Sequence, residues 1–527
     1  MAKIREIIDR KPWVGWLLFA STALVIFLLG LLASSVMERR TEALYIDRPI
    51  VKIEPLEPRS EVWGLNYPVQ YESFLKTRDT TYAGSSHGPG ESDMILSYPQ
   101  LAILWAGYAF AWDYSKPQGH YYTISDIRKT LRTGAPMTPD DGGQPATCWT
   151  CKSSDVPRLM NQLGVVEFYT PKWAARGGEV VNGIGCADCH DEQTMNLKIT
   201  RPALIEAFDR MGKDITKATH NEMRTLVCAQ CHVEYYFNKS TPKEGVAYLT
   251  FPWDKGTDIQ DMEKYYDEIG FSDWTHALSR TPMLKAQHPD YEIYQTSIHA
   301  KRGVTCADCH MPYKSEGGVK STDHHIQSPL NNIANSCQVC HRQSETELRN
   351  NVLSNMSKTT EARLTAEHNL VKAHLEAKFV WDLGATEEQM KDVLMLIRHA
   401  QWRWDFSAAS HGSGAHSPTE SLRLLASSIT KSQEARIRMA QVAAQLGHTG
   451  TIPLPDVSTK EKAQAYLGIP IDKMVSEKQQ FISTVVPQWV QQAKERQDKM
   501  TQYSALKGKS LMEEQYEADR EMLKKDR

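Results

Sequence analysis

The sequence predicts a mostly α-helical protein with few short strands, long C-terminal helices and an N-terminal transmembrane helix. Three observations support this fold class. No charged residue occurs from Trp13 to Met37. After residue 344, apolar residues recur at helical spacing between recognisable helix caps. Between these two parts, the alternation of apolar and polar residues that is typical of strands is weak.

The first segment is a candidate membrane anchor. Residues 1–12 carry four basic and two acidic side chains, and the uncharged stretch that follows is long enough for a helix to cross a bilayer. The basic flank should remain in the cytoplasm, which puts everything after Glu38 on the outer, periplasmic face of the membrane. A cleaved signal peptide, with Ala33-Ser34-Ser35 near the cleavage site, is the alternative and would leave a soluble periplasmic protein.

The chain divides into five parts by composition. These are a membrane anchor or signal at 1–37, a proline-containing linker at 38–60, a region at 61–345 that holds every cysteine, a long-helix region at 346–503 and a charged tail at 504–527. The long helices need a packing partner, and both a homodimer interface and packing within the chain are open. The tail is expected to be solvated or a frayed helix.

Cap residues divide the long-helix region into separate helices. The predicted helices run from Glu345 to Asp382, from a capping box at Thr386 and Gln389 through Trp402, from Ser417-Pro418 to about Gly447, and from about Glu477 to Tyr503. Upstream, short strands are expected near Val165–Tyr169 and Gly245–Phe251. The rest of the cysteine-containing region is expected to form short helices joined by long loops.

All ten cysteines fall into five Cys-x-x-Cys pairs. Four pairs are followed directly by histidine: Cys186 and Cys189 with His190, Cys228 and Cys231 with His232, Cys306 and Cys309 with His310, and Cys337 and Cys340 with His341. The remaining pair, Cys148 and Cys151, is followed by Lys152. Cys-x-x-Cys-His is the attachment motif of c-type haem, in which two thiols bond the macrocycle and the histidine becomes the proximal iron ligand.

Two other interpretations of the cysteine pairs are less consistent with the pattern. Structural zinc sites use such pairs two at a time, and five is an odd number. Redox disulfides give no reason for the repeated histidine. The sequence therefore predicts five covalently bound haem c groups. The net charge of −3 gives no argument for nucleic acid as a partner.

Lys152 distinguishes the first motif from the other four. A lysine amine binds iron only in its neutral form, which offers no advantage to a haem that merely carries electrons. One interpretation is a degenerate motif with Lys152 in solvent. The other is a haem with an altered proximal ligand whose opposite face is open to substrate.

Six stretches of the sequence resemble the pentahaem, ammonia-forming cytochrome c nitrite reductases. They are Ala106–Phe110, Leu131–Pro136, Cys148–Lys152, Cys231–Phe237, Pro282–Pro289 and His399–Asp405, and they occur in the order of that family. The similarity extends from about Tyr98 to Pro418.

The resemblance implies that Lys152 is the proximal ligand of the catalytic haem and that Arg132, Tyr235 and His288 surround the substrate. These residue types suit an anion that must be reduced and protonated. Arginine supplies a permanent positive charge, histidine supplies a proton or a positive field near neutral pH, and the phenol of tyrosine can donate a hydrogen bond.

The resemblance also implies a calcium ion beside the active site. Its ligands would be the Glu234 side chain, the carbonyl oxygens of Tyr235 and Lys285, and the Gln287 side chain. Such oxygen ligands suit this hard cation. The alternative is that Glu234 simply pairs with Arg132 or a lysine.

Four histidines match the distal haem ligands of the family. His120 corresponds to the partner of His232, His299 to that of His341, His324 to that of His190, and His416 to that of His310. His325, which follows His324 directly, is the alternative for the second pair.

The implied function is the six-electron reduction of nitrite to ammonium at the lysine-ligated haem, with four bis-histidine haems relaying electrons. The electron donor would be a quinol-oxidising membrane cytochrome or a periplasmic carrier. Reduction of hydroxylamine, nitric oxide or sulfite is the alternative within the enzyme class. A non-catalytic multihaem electron conduit is the alternative outside it.

Overall fold

The computed structural model describes residues 7–46, 49–80, 90, 92–316, 319–500, 503, 506 and 510–525. The chain forms two compact units, Met1–Lys52 and Ile53–Arg527. In the first unit, helix α1 spans Pro12–Ile46. Its segment Pro12–Met37 has a mean hydropathy of 2.4 and is long and apolar enough to cross a membrane. Such a helix is compatible with a membrane anchor or with a signal peptide. It continues past Met37, so part of the predicted linker is helical.

The second unit is mostly helical. Its α-helices within the described residues are α2 Ser60–Asn66, α3 Pro68–Leu75, α4 Met94–Ser97, α5 Gln100–Leu104, α6 Thr123–Lys129, α7 Asp155–Leu163, α8 Val165–Tyr169, α9 Pro202–Arg210, α10 His220–Ala229, α11 Ile259–Glu268, α12 Asp290–Gln295, α13 Ile298–Lys301, α14 Cys306–His310, α15 Ile333–Ser336, α16 Glu345–Asp382, α17 Glu387–Ala409, α18 Ser413–His416, α19 Pro418–Gln445, α20 Lys460–Tyr466, α21 Ile471–Gln497 and α22 Leu511–Lys525. Short 3-10 helices lie between them at Lys76–Arg78, Ala109–Ala111, His120–Tyr122, Leu131–Thr133, Ala146–Trp149, Trp173–Arg176, Cys186–Asp188, Ile215–Lys217 and Pro329–Asn331.

The strands form small antiparallel pairs. Where the structure describes the chain, β1 Tyr236–Asn238 pairs with β2 Tyr248–Thr250, β3 Trp274–Thr275 with β4 Pro282–Met283, and β5 Tyr313–Glu316 with β6 Val319–Thr322. The fold class, mostly α with few short strands, is confirmed, and β2 lies within the strand predicted near Gly245–Phe251.

The strand predicted at Val165–Tyr169 is wrong. This stretch is helix α8, which begins directly after Gly164 ends the preceding helix with a φ of +86°. Phe168 and Tyr169 are buried in the core while Glu167 is exposed. The burial of the aromatic side chains outweighs the weak strand preference of two valines.

The long helices follow the predicted caps closely. Helix α16 ends at Asp382 before Gly384, whose φ is +95°. Helix α17 opens on the capping box, with Thr386 accepting from the Gln389 N–H and the Gln389 side chain accepting from the Thr386 N–H. Helix α21, by contrast, begins at Ile471 and ends at Gln497, six residues earlier at both ends than predicted.

The charged tail is more ordered than predicted. Helix α22 buries Met512 and Gln515, and the Gln515 amide donates to the Tyr121 carbonyl at 2.7 Å. Lys494 of α21 forms an ion pair with Glu513 at 2.7 Å. Met512, an apolar side chain among many charges, anchors this helix in the core.

The long helices pack against the cysteine-containing region of the same chain. On α17, Arg398 donates to Asp267 at 2.9 Å and Arg403 donates to Glu263 at 2.7 Å. Trp402 and Trp404 of the same helix are fully buried. Helix α17 therefore forms one wall of the region that carries the motifs.

Candidate active site

The five cysteine motifs open onto one continuous cavity of about 1970 Å³. Nine of the ten cysteines line it, and Cys340 is exposed instead. The cavity exceeds the roughly 300–1,000 Å³ of an ordinary small-molecule site. Its size and its cysteine-rich lining fit several large cofactors better than one small ligand.

Neighbouring motifs approach one another along this cavity. The Cys151 thiol lies near that of Cys231, and the Cys228 thiol lies near that of Cys306. The third motif therefore lies between the first and the fourth. Cys309 interacts electrostatically with Cys337, which brings the fifth motif beside the fourth.

Four pairs of histidine rings face each other in this region, and all of these rings line the cavity except that of His341, which is exposed. The ring centres are 6.2 Å apart for His120 and His232, 6.1 Å for His190 and His324, 6.2 Å for His299 and His341, and 6.1 Å for His310 and His416. Two imidazoles that bind one metal ion through nitrogen, at about 2.0 Å per bond, hold their ring centres roughly 6 Å apart. The four spacings therefore fit a single iron between each pair.

Several of these rings are prepared to bind a metal. The Nδ1–H groups of His190, His310 and His324 donate to carbonyl oxygens at 2.8, 2.8 and 2.9 Å, which leaves Nε2 free. Burial lowers the pKa of His120, His310 and His324 to about 4, so each ring is neutral near pH 7. A neutral imidazole is the form that ligates metals.

Hydrogen bonds hold the main chain of Lys152 in place. It follows the 3-10 helix Ala146–Trp149, and its N–H donates to the Trp149 carbonyl at 2.9 Å. Its own carbonyl accepts from the Thr123 hydroxyl at 2.7 Å. Trp149 is fully buried and stacks on Trp173 at 4.7 Å, which anchors this segment in the core.

The predicted catalytic side chains line the same cavity as Lys152. Burial raises the pKa of the Cys148 thiol to about 12, and the charge of Arg132 opposes this increase, so Arg132 lies near the first motif. Burial also raises the pKa of the Tyr235 phenol well above its ordinary value, and the Cys151 and Cys148 thiols add to the effect. The first motif thus has Arg132 and Tyr235 as neighbours.

Arg132 is held by contacts on both sides. Its Nε donates to the Thr130 hydroxyl at 3.2 Å, and its guanidinium lies 4.3 Å from the Phe110 ring centre. Lys478 of α21 donates to the hydroxyl of the adjacent Thr133 at 3.0 Å. This support from a distant helix was not foreseen from the sequence.

His288 is close to several other polar groups. Burial lowers its pKa well below the ordinary value, and the nearby His411 and Lys152 side chains add to the decrease. Its ring centre is 6.1 Å from that of His232, so ring spacing alone does not separate His288 from His120 as the partner of His232. The Nδ1 atom of His288 is buried without a hydrogen-bond partner among the described residues. It is available to a bound molecule.

His411 was missed by the sequence analysis. Its ring centre lies 5.5 Å from that of His288, and it lines the cavity. Its position in Ser410-His411-Gly412, five residues before His416, was the available signal.

The predicted calcium ligands are clustered. The Glu234 carboxylate accepts from the Gln287 N–H at 2.6 Å, and the Gln287 amide donates to the Lys285 carbonyl at 3.2 Å. Tyr235 follows Glu234 in the chain. The Lys285 ammonium is paired with Asp405 at 2.8 Å, so it does not pair with Glu234.

The charge around Glu234 fits a bound cation. Burial raises the pKa of Glu234 well above its ordinary value, and the nearby Glu292 and Asp273 carboxylates add to the increase. Burial raises the pKa of Asp273 to about 7 and that of Glu292 to about 8. A divalent cation among these oxygens would relieve the repulsion.

A family model described as cytochrome c552 matches residues 59–502. The chain belongs to the cytochrome c552 family. Cytochrome c-552 of Parabacteroides distasonis is 57% identical over 486 residues, covering 92% of this chain and 97% of that protein. Cytochrome c-552 of Porphyromonas gingivalis is 55% identical over 487 residues, covering 92% and 97%.

A solved structure extends the cytochrome c552 comparison to the fold. The cytochrome c nitrite reductase of Desulfovibrio desulfuricans is 31% identical, with a TM-score of 0.70, and the match covers 76% of this chain and 90% of that one. Two calcium sites are described in its catalytic subunit. The resemblance to the nitrite reductases inferred from the sequence is thereby confirmed.

Proposed function

We propose that this protein reduces nitrite to ammonium, with electrons relayed through five c-type haems. The proposal rests on a difference between the first cysteine motif and the other four. Four motif histidines each face a second histidine at the spacing of two ligands on one iron, whereas Lys152 shares the cavity with Arg132, Tyr235 and His288. This contrast supports four closed haems and one that is open to substrate.

We propose that the motif cysteines hold the haems covalently and that Lys152 ligates the first iron. His190, His232, His310 and His341 would be the proximal ligands of the others, with His324, His120, His416 and His299 opposite them. We assign His120 rather than His288 to His232 because His120 matches the family pattern, while His288 has a buried nitrogen free for substrate. When bound, the first haem supplies the electrons and the iron on which nitrite is reduced.

The surrounding side chains provide what an anionic substrate requires. Arg132 attracts and orients nitrite with a permanent charge and several N–H donors. Its hydrogen bond to Thr130 and its contact with Phe110 fix the guanidinium before substrate arrives, which lowers the entropic cost of binding.

Reduction of nitrite to ammonium also consumes protons, because both oxygens leave as water. The Tyr235 phenol remains protonated at neutral pH, since burial raises its pKa, and it can donate a hydrogen bond. His288 offers its unpaired Nδ1 to the substrate and has His411 as its neighbour. Both side chains can hold or deliver a proton at the reacting atoms.

We propose that calcium binds Glu234, the Tyr235 and Lys285 carbonyls, and Gln287. Its role would be to fix the segment that carries Tyr235 and the segment that carries His288. The buried carboxylates around Glu234 support this assignment, as does the description of calcium sites in the Desulfovibrio desulfuricans enzyme.

The proposal also covers the cellular location, the electron donor and the oligomeric state. The apolar helix at Pro12–Met37 supports a location on the periplasmic face of the membrane, either anchored or soluble after cleavage. The electron donor would be a quinol-oxidising membrane cytochrome or a periplasmic carrier. Exposed apolar side chains on the long helices, such as Met395 and Ile437, are consistent with a homodimer.

The test is turnover of the purified holoprotein with a reduced dye as electron source and nitrite as substrate. The proposal predicts ammonium as the product, with six electrons consumed per nitrite. Consumption of nitrite without ammonium would assign a different reduction, and no consumption of nitrite would favour the electron conduit.

A further inference from the structure

Arg201 connects the first and second haem motifs through one buried guanidinium. The residue has an exposed fraction of 0%. Its Nη2 donates to Asp188 Oδ1 at 2.5 Å and to the Ser153 carbonyl at 2.9 Å, and its Nε donates to the Thr150 carbonyl at 2.7 Å. Thr150 belongs to the first motif and Asp188 to the second. Because a buried charge requires pairing and hydrogen bonds, these contacts define one arrangement of the two segments.

The two carbonyls bracket Lys152. Thr150 lies two residues before it and Ser153 directly follows it. A lysine side chain is long and flexible, so its amine reaches a fixed point only if its main chain is fixed. The N–H and carbonyl of Lys152 are also held, by Trp149 and Thr123. Arg201 adds restraints on both sides of the lysine.

The third motif fixes Arg201 in turn. Gln230, between Cys228 and Cys231, accepts from the Arg201 N–H at 3.1 Å and from the Thr200 N–H at 2.9 Å. Its amide also donates to the Asp188 carbonyl at 2.8 Å. Three motifs are thus joined through the segment Thr200-Arg201.

The fourth motif provides an internal comparison. Both the second and the fourth read Cys-Ala-Asp-Cys-His, and Asp308 in the fourth accepts from Arg224 at 2.9 Å. Each aspartate also accepts the N–H of the residue before its motif, at 2.8 Å for Asp188 and 2.7 Å for Asp308. An arginine paired with this aspartate is therefore a feature common to both.

The two arginines differ in their remaining contacts. Arg224 donates to the Tyr313 hydroxyl at 3.0 Å, whereas Arg201 donates to the carbonyls on either side of Lys152. The arginine–aspartate pair accompanies both Cys-Ala-Asp-Cys-His motifs, whereas the contacts to the first motif are made by Arg201 and not by Arg224.

We propose that Arg201 is a positioning residue for Lys152. By joining the Thr150 and Ser153 carbonyls to Asp188, it holds the main chain on both sides of Lys152, which would restrict where the lysine amine can reach when the first haem is bound. The inference rests on the proposed function, because it concerns the lysine-ligated haem.

Two substitutions test this role in the holoprotein. Arg201→Lys keeps a positive charge beside Asp188, but a single ammonium lacks the planar fork that reaches all three acceptors. Arg201→Met combined with Asp188→Asn removes both charges, so no unpaired carboxylate remains buried. This double variant keeps the test available if Arg201→Lys fails to fold. Arg224→Lys is the matched control in the fourth motif. The measurements are haem content by intact mass, the electron paramagnetic resonance spectrum and nitrite turnover.

Both Arg201 variants are expected to retain five haems and to change the high-spin signal. Their kcat for nitrite should fall about 10- to 100-fold, as is typical when the support of a metal ligand is lost. Arg224→Lys should leave the high-spin signal as in the wild type. Five haems with an unchanged high-spin signal in both Arg201 variants would overturn the proposal, as would an equal change in Arg224→Lys.

The spectrum separates this inference from the proposed function. If the wild type forms no ammonium, the proposed function fails, but a high-spin signal that shifts only in the Arg201 variants still supports the positioning role. A wild type without any high-spin signal would overturn that role.

Discussion

The imidazole rings of His190 and His324 lie 6.1 Å apart across the cavity, with an angle of 37° between their planes. Both rings donate from Nδ1 to main-chain carbonyls, of Met195 and Thr322 respectively, and so turn Nε2 away from these contacts. The main-chain N–H of His325 donates to the Ser73 hydroxyl at 3.0 Å, and it is His324 whose ring lines the cavity and faces His190. The pairing of the His190 and His324 rings favours His324 over His325 as the ligand of the second haem.

His324→Ala should convert one low-spin haem to high-spin, because His190 would lose its partner on the iron. His325→Ala is the matched control and should leave the spectrum of the oxidised protein unchanged. The number of low-spin haems, measured by electron paramagnetic resonance, distinguishes the two. Loss of a low-spin haem only in the His325 variant would reverse the assignment.

Lys152→His should abolish most nitrite turnover, because the first motif would acquire the same ligand as the other four and the character of the open haem would change. Haem content by intact mass should remain at five, since Cys-x-x-Cys-His is the usual attachment motif. Steady-state turnover with nitrite is the measurement. Full activity with an unchanged high-spin signal would show that the lysine has no special role.

Arg132→Ala should raise the KM for nitrite about 10- to 100-fold, which corresponds to the loss of a hydrogen bond to a charged group. His288→Ala should instead lower kcat by a factor of about 100 or more, because a group positioned to carry protons to the substrate is removed. The His288 variant should also keep all four low-spin haems if His120 is the ligand opposite His232. Full rates in both variants would contradict the proposed pocket.

Glu234→Gln should weaken calcium binding about 10- to 100-fold, because the carboxylate is replaced by a neutral amide. Calcium content of the dialysed protein, measured by atomic spectroscopy, checks this expectation. Removal of calcium by a chelator should lower nitrite turnover in the wild type, and added calcium should restore it. Equal calcium content in the wild type and the variant would argue against this site.

The sequence was most informative where the determinants are local. The cysteine motifs are contiguous, and the caps around Glu345–Asp382 lie next to the helix that they end, so both were predicted without knowledge of the fold. The strand expected at Val165–Tyr169 was wrong because burial of Phe168 and Tyr169 outweighs the local preference. Met512 was overlooked because one apolar anchor among many charges gives little signal.

The missed residues of the site act through contacts that are distant in the sequence. Arg201 donates to Thr150, and Lys478 donates to Thr133 from a helix near the C-terminus. No spacing rule connects such residues. The choice between His324 and His325 likewise depends on which ring the tertiary structure turns toward His190.

The electron paramagnetic resonance spectrum of the oxidised wild-type holoprotein, recorded with and without nitrite, tests the central claim most directly. We expect one high-spin haem that responds to nitrite and four low-spin haems that do not. Five low-spin haems with no response to nitrite would contradict it.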